Sequence, residues 1–183
     1  MKITINSVPR SKKAMIEAFL YLIQNNEYEK ITITDICKKA DVVRKTFYNH
    51  FKSKDAIVRF LIDIMFYELE ERVDLNSINL RKILWTLYSF IINNKDSLLL
   101  FHKRGLIGFA SKGMSEYAKK QEILCLYAKQ FVTSKADKYI ANYISAVLTS
   151  IVETWINNNF TESVDFLVHI TESFFNNQIL KKQ

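Results

Sequence analysis

Apolar residues at Met15, Ala18, Phe19, Leu22 and Ile23 repeat with the three- and four-residue spacing of one helix face. Ser11 is the predicted cap at the start of this helix and Asn25-Asn26 ends it. The segment Ile31-Thr32-Ile33-Thr34 then leads into a short helix, with Thr34 as the expected cap, Asp35 in the first turn, and Ile36, Cys37 and Ala40 facing inward. Asp tolerates a left-handed backbone, so Ala40-Asp41-Val42 predicts a sharp turn. A third helix follows over 43–51, with Phe47 and Phe51 one turn apart on its inner side.

Ser53 is the expected cap of a longer helix with an inward stripe of Ile57, Leu61, Ile64, Met65 and Leu69, running to about Val73. Beyond it the pattern predicts helices at roughly 79–93, 96–103, 114–132, 135–157 and 162–180. The helix over 137–156 has one apolar track through Ile140, Ile144, Val147, Ile151 and Trp155, and a second through Tyr139, Tyr143, Ala146 and Ser150. A helix apolar on two sides must be buried on two sides. One face serves its own domain and the other a second copy of the chain, and the last helix repeats the theme through Val164, Leu167, Val168, Ile170, Phe174 and Phe175, so a homodimer is expected.

Composition agrees with this reading. The 183 residues include 3 Gly and 1 Pro, too few for the turns of a sheet protein, and 49% are hydrophobic, enough for real cores. An all-α fold is expected, with residues 1–53 forming an N-terminal three-helix domain and 54–183 a helical domain reached through the helix at 54–73. The charge is unevenly spread: residues 1–54 hold 11 Lys/Arg against 5 Asp/Glu, and residues 55–183 hold 15 against 14. A basic first third on a balanced remainder points to a polyanion, with nucleic acid favoured over a membrane surface. Cys37 and Cys125 are too few for a disulfide framework and lack a C-x-x-C spacing, so both read as reduced thiols packed in cores. The most apolar run, Val58 to Tyr67, is interrupted by Arg59 and Asp63, and no export signal is visible. A soluble cytoplasmic protein without a membrane partner is expected.

Two short helices about a tight turn, Thr34 to Asp55, have the layout of a helix-turn-helix, in which the second helix enters the major groove. With Val42, Phe47 and Phe51 inward, the outward set is Val43, Arg44, Lys45, Thr46, Tyr48, Asn49 and His50. Arg44 and Lys45 can donate to guanine O6/N7, Asn49 can pair with adenine, and Val43 or Thr46 can touch a thymine methyl. Thr34, Lys39, Tyr48, His50 and Lys54 are better suited to phosphates, Lys54 lying beside the free amides that open the next helix.

These residues resemble the tetracycline-repressor (TetR) family of bacterial regulators over about 11–60. The likeness rests on Ile31-Thr32-Ile33-Thr34-Asp35-Ile36, the Ala40-x-Val42 turn, and Thr46-Phe47-Tyr48-x-His50-Phe51-x-x-Lys54-Asp55. The run Phe47 to Asp55, with Glu153-Thr154-Trp155 before a short polar loop and a last helix, is similar to the subgroup that includes the dihydroxyacetone-kinase operon activator. The resemblance implies a sequence-specific transcriptional regulator that binds double-stranded DNA as a dimer, its paired recognition helices set about 34 Å apart or a multiple of that distance. Two positions depart from the family pattern: Asp41 stands where Gly is usual in the turn, and Val43 where a small hydroxyl residue usually caps the recognition helix.

The second domain is rich in aromatic groups, and Trp85, Tyr88, Phe90, His102, Phe109, Tyr127 and Tyr143 are candidates to line a small-molecule pocket. The expected mode is a repressor whose operator affinity an effector changes. The alternative is a coactivator or interaction protein whose second domain binds another protein; a closed apolar pocket argues for the first, a filled core with an exposed apolar patch for the second. The helix from Ser53 contains no Gly or Pro before Val73, so an effector near Met65 to Val73 could tilt it as a lever. Three histidines, no Gly-rich phosphate loop and no metal-ligand spacing argue against an enzyme, and neither metal nor cofactor is expected.

Overall fold

The computed structural model describes residues 8–72, 79–110, 112–113 and 137–179, and these are helical throughout apart from turns and connections. The order is α1 (Arg10–Asn25), a 3₁₀ turn (Tyr28–Lys30), α2 (Ile33–Lys39), α3 (Arg44–His50), α4 (Lys54–Glu70), α5 (Leu80–Asn93), α6 (Lys95–Lys103), a short helical stretch from 107, α7 (Asp137–Asn157) and α8 (Val164–Ile179). Helix α4 ends at Glu70, short of the expected Val73, because the chain turns at residues 71–72; the predicted helix at 114–132 lies outside the described residues, as do Val73, Cys125 and Tyr127. No described helix is long and apolar enough to cross a membrane.

Two caps differ from the expected ones. Helix α1 starts on Pro9, whose side chain makes no cap bond, two residues before Ser11. Helix α2 starts on Thr32 rather than Thr34, because Thr32 has an acidic residue three positions on: the Thr32 hydroxyl accepts from the Asp35 amide at 3.2 Å, and the Asp35 carboxylate accepts from the Thr32 amide at 2.9 Å. Ser53 does cap α4, accepting from the Ala56 amide at 3.2 Å.

A first core joins Met15, Phe19, Ile23, Ile36, Phe47, Phe51 and the opening half of α4 through Ile57 and Leu61. It also contains Phe101 at the end of α6 and Leu106 just beyond it. A second core is built on Leu84, Leu87, Tyr88, Ile91, Ile144, Trp155 and Val168, with Leu69 from the far end of α4, and α5 packs along α8. Each fully buried side chain of this size contributes roughly 1.5–3 kcal/mol relative to an exposed one. Within the second core the Tyr88 hydroxyl meets the Thr171 hydroxyl at 2.7 Å, both side chains fully buried, and the Tyr88 ring stands edge-on to Trp155. Burial pushes the Tyr88 phenol up to about 12.

Helices α7 and α8 meet through a turn with Asn159 and Phe160 both left-handed, at φ 53° and 58°. The Phe160 amide donates to the Trp155 carbonyl at 2.9 Å, and the Trp155 indole nitrogen donates to the Glu162 carbonyl at 3.0 Å, so both sides of the turn are tied to one tryptophan. Along α7 the track through Ile144 and Trp155 is buried, whereas Tyr139, Tyr143, Ala146 and Ser150 are exposed. On α8, Leu167, Val168 and Phe175 are buried while Phe166 and Phe174 face out.

Candidate nucleic-acid interface

The turn between α2 and α3 is closed by two carbonyl contacts: the Ala40 amide donates to Ile36 at 2.9 Å and the Val42 amide to Cys37 at 3.0 Å. That pattern needs a left-handed residue between them, and Asp41 supplies it with φ 52°. Burial pushes the Cys37 thiol up, consistent with a packed thiol behind the turn. Val43 precedes α3 without any side-chain cap and is 68% exposed.

Helix α3 is anchored from inside by Phe47, which is fully buried and packs against Tyr48 and Phe51. Its outer side carries Val43, Arg44, Lys45, Tyr48 and Asn49 exposed, with Thr46 half-buried. Arg44 is not loose: its guanidinium donates to the Thr34 hydroxyl of α2 at 3.2 Å and to the Tyr48 hydroxyl at 3.3 Å. One arginine thus braces the two helices of the motif while staying exposed.

The expected phosphate contacts separate into different environments. Thr34 and Lys39 are exposed, and the Lys39 ammonium sits 3.6 Å from the centre of the Tyr21 ring on α1. His50 is half-buried, its Nε2 hydrogen-bonded to the Ser11 hydroxyl at 2.8 Å, which gives Ser11 a tertiary role in place of the expected cap. Lys54 is directed inward. Its ammonium donates to the carbonyls of Tyr28, Ile31 and Glu29 at 2.8, 3.2 and 3.3 Å and lies 4.2 Å from the Tyr28 ring centre. These three acceptors match the three donors of a lysine, so Lys54 ties α4 to the 3₁₀ turn. Next to it the Tyr28 hydroxyl donates to the Asp55 carboxylate, and burial and that carboxylate together raise the phenol. Tyr21 and Ser11 were missed because their partners lie on another helix, at distances in sequence that no periodicity encodes.

The described candidate pocket residues lie in different places, and Tyr127 is outside the described residues. Trp85 and Tyr143 are 52% and 42% exposed, and His102 is exposed at the end of α6. Tyr88 is buried against Thr171, and Phe109 lies beyond α6 with the Arg59 guanidinium 5.9 Å from its ring centre. Among the described residues of this group only Phe90 reaches an apolar cavity of about 60 Å³, bounded by α4, α5, α6 and α7 through Met65, Leu69, Ile91, Leu98, Phe101 and Val152 among others. Of these residues Tyr88 and Phe90 are buried as apolar filling; which side chains face a cavity depends on helix rotations that side-chain type does not encode.

Residues 15–60 match the family model described as bacterial regulatory proteins, tetR family. Over 59 residues the chain is 34% identical to the HTH-type dhaKLM operon transcriptional activator DhaS of Lactococcus lactis subsp. lactis (strain IL1403), covering 32% of this chain and 32% of that protein. Over 56 residues it is 38% identical to the uncharacterized HTH-type transcriptional regulator YxbF of Bacillus subtilis (strain 168), covering 30% of this chain and 15% of that one. The matches therefore span a third or less of these curated relatives. In three dimensions the chain is similar to a solved structure of dihydroxyacetone kinase operon activator DhaS, with TM-score 0.59 and 20% identity over 92% of this chain and 96% of that one. It is also similar to the fatty acid degradation regulator FadR from Bacillus halodurans, with TM-score 0.57 and 15% identity over 94% and 97%. The likeness shows a shared helical fold.

Proposed function

We propose that this chain, a tetR-family protein by its residues 15–60, is a DNA-binding transcriptional regulator that acts in the cytoplasm as a homodimer on a two-fold operator. The observation that carries the reading is α3: a short helix held from behind by Phe47, with Arg44, Lys45 and Asn49 exposed and Arg44 braced to α2. Arg44 and Asn49 read base edges, Val43 and Thr46 offer methyl contacts, and Thr34, Lys39, Tyr48 and His50 hold the backbone.

Dimerisation uses the exposed stripe of α7 and the outer side of α8. Tyr139, Tyr143, Phe166 and Phe174 are 66%, 42%, 51% and 44% exposed, too much aromatic surface on two adjacent helices for an isolated copy. The signal travels along two struts. Helix α4 follows the recognition helix and lines the cavity through Ile62, Met65 and Leu69, and α6 lines the same cavity through Leu98 and Phe101 while planting Phe101 in the first core. An apolar effector that enlarged the cavity would move both and change the spacing of the paired recognition helices, most simply as release of a repressor.

A second reading has a specific observation behind it. The cavity is small beside the 300–1,000 Å³ typical of ligand sites, and Trp85 is 52% exposed, features expected of a domain that binds a protein. The deciding experiment selects duplexes from a random pool with the purified chain and repeats the selection with Arg44→Ala. A two-fold consensus that loses discrimination at one position in each half-site supports DNA reading; no enrichment by the parent overturns it. Light scattering of the parent against Tyr143→Glu separates dimer from monomer. A screen of apolar small molecules against operator binding, beside capture of a protein partner abolished by Trp85→Ala, separates effector from partner.

A further inference from the structure

All three glycines of the chain, Gly105, Gly108 and Gly113, line one cleft of about 340 Å³ between α4 and the helical stretch after α6. Two of them have a backbone reason. Gly105 is left-handed at φ 72° and ends α6, with the Leu106 amide returning to the Phe101 carbonyl at 2.8 Å. At Gly113 a Cβ would come within 2.6 Å of Ile62 and 2.7 Å of Phe66, so the glycine lets the two helices close. Gly108 has neither reason. Its backbone is helical, and a Cβ there would meet nothing within 4 Å. Glycine within a helix costs about 1 kcal/mol relative to alanine, so its effect here is to keep the cleft floor open.

The walls carry charge. Arg59 on α4 and Lys112 opposite both line the cleft, both are exposed, and neither has a hydrogen bond or ion pair among the described residues. The Arg59 guanidinium lies 5.9 Å from the ring centre of Phe109, which gives the cleft one apolar side. Asp63 also lines it, one turn after Arg59, and leaves the site with an excess of one positive charge. We infer that this cleft binds a small oxyanion-bearing molecule, a carboxylate or a phosphate, whose anionic group lies between Arg59 and Lys112. Asp63 accepts a hydroxyl of the same molecule, and Phe109 covers its carbon skeleton. The site is separate from the apolar cavity and touches both struts, α4 directly and α6 through the turn at Gly105. A bound molecule would stiffen the joint between them.

The test uses the full chain without DNA, so it does not depend on the regulatory reading. Citrate and inorganic pyrophosphate serve as carboxylate and phosphate probes, each titrated at ionic strength matched with sodium chloride while thermal unfolding is followed by circular dichroism. A saturable rise in Tm is expected with at least one probe at millimolar concentration, and which probe gives it identifies the anion. Lys112→Ala and Arg59→Ala should each weaken binding about tenfold, since each removes a charge-assisted contact. Gly108→Leu should weaken it as much while leaving the helical spectrum and the Tm in chloride equal to the parent's or higher, because the added side chain has open space and helix propensity in its favour. Lys95→Ala, an exposed cation outside the cleft, should leave binding unchanged. The proposal is overturned if neither probe gives a saturable shift, if Gly108→Leu binds like the parent, or if Lys95→Ala weakens binding as much as Lys112→Ala.

Discussion

The Arg104 guanidinium, at the end of α6, holds the Ile23 carbonyl at the end of α1, with Nε at 2.8 Å, and its second arm reaches the neighbouring Gln24 carbonyl at 2.6 Å. A helix C-terminus leaves carbonyls without intrahelical partners and carries partial negative charge, so a forked cation fits there better than a point charge. The bond joins residues 81 and 80 positions apart and fastens α6 to α1, the opening helix of the first core.

Arg104→Ala should therefore lower stability by about 1.5–3 kcal/mol, the usual worth of hydrogen bonds to a charged group. Urea unfolding measures it. Arg104→Lys should recover less than half, because one ammonium replaces a two-armed donor. Operator affinity of the folded variant should persist while its response to effector shrinks, and an unchanged urea midpoint would refute the strut.

Lysines 45 and 54 should behave oppositely although both lie in the basic segment. Lys45→Ala removes an exposed charge from α3, so the slope of log K against log salt should fall by about 0.9 if it meets a phosphate. Lys54→Ala should leave that slope near the parent's and reduce stability instead, since it strips the Tyr28, Glu29 and Ile31 carbonyls of their donor. Filter binding at several salt concentrations, with unfolding curves alongside, separates the two.

Thr32→Ala should cost about 1 kcal/mol, the worth of a helix cap, and Thr34→Ala much less. The Thr34 variant should instead loosen Arg44 and blur base preference. The Thr32 hydroxyl and amide hold the Asp35 carboxyl below its usual range, so the ionised form belongs to the folded state. That contribution is present above the ordinary carboxylate pKa of 3.8 and is lost as pH falls through the lower folded value. Acid unfolding of Asp35→Asn should accordingly begin from a lower plateau and show a shallower dependence on pH than the parent.

This pair of threonines shows how far the sequence was legible. Ile31-Thr32-Ile33-Thr34 offers two similar caps two residues apart, and the carboxylate at position 35 decides between them by its distance of three residues from Thr32. The elements and the sharp turn at Asp41 were readable because their causes are local: periodicity, a cap, one left-handed residue. Ser11, Tyr21 and Lys54 acquired their partners only when α1 met α3, α1 met α2 and α4 met the 3₁₀ turn, respectively. Exposure of Trp85 and Tyr143 likewise follows from how α5 and α7 rotate in the bundle.

The alkaline limit of stability should involve Tyr88. Its phenol is raised from 10.0 to about 12 by burial, so the neutral form favours folding fully below pH 10, and that advantage disappears as pH rises through about 12. The linkage amounts to about 3 kcal/mol across this window. Tyr88→Phe should be less stable at pH 7, because the Thr171 hydroxyl stays buried without its partner, yet lose less between pH 10 and 12. A parallel decline of parent and variant over that window would contradict the assignment.

Phe101 and Leu106 complete a core whose other members all come before residue 63. A polypeptide emerging from its N-terminus thus exposes α1, α2 and α3 well before it can finish the interior on which they sit. A fragment ending at residue 53 should be a poorly packed, exchange-prone peptide rather than a miniature DNA-binding domain. On the proposed regulatory reading, competence for DNA is in this sense deferred: the interior beneath α2 and α3 closes only once residues 101–106 have been made, so products truncated before them would be poor competitors for an operator.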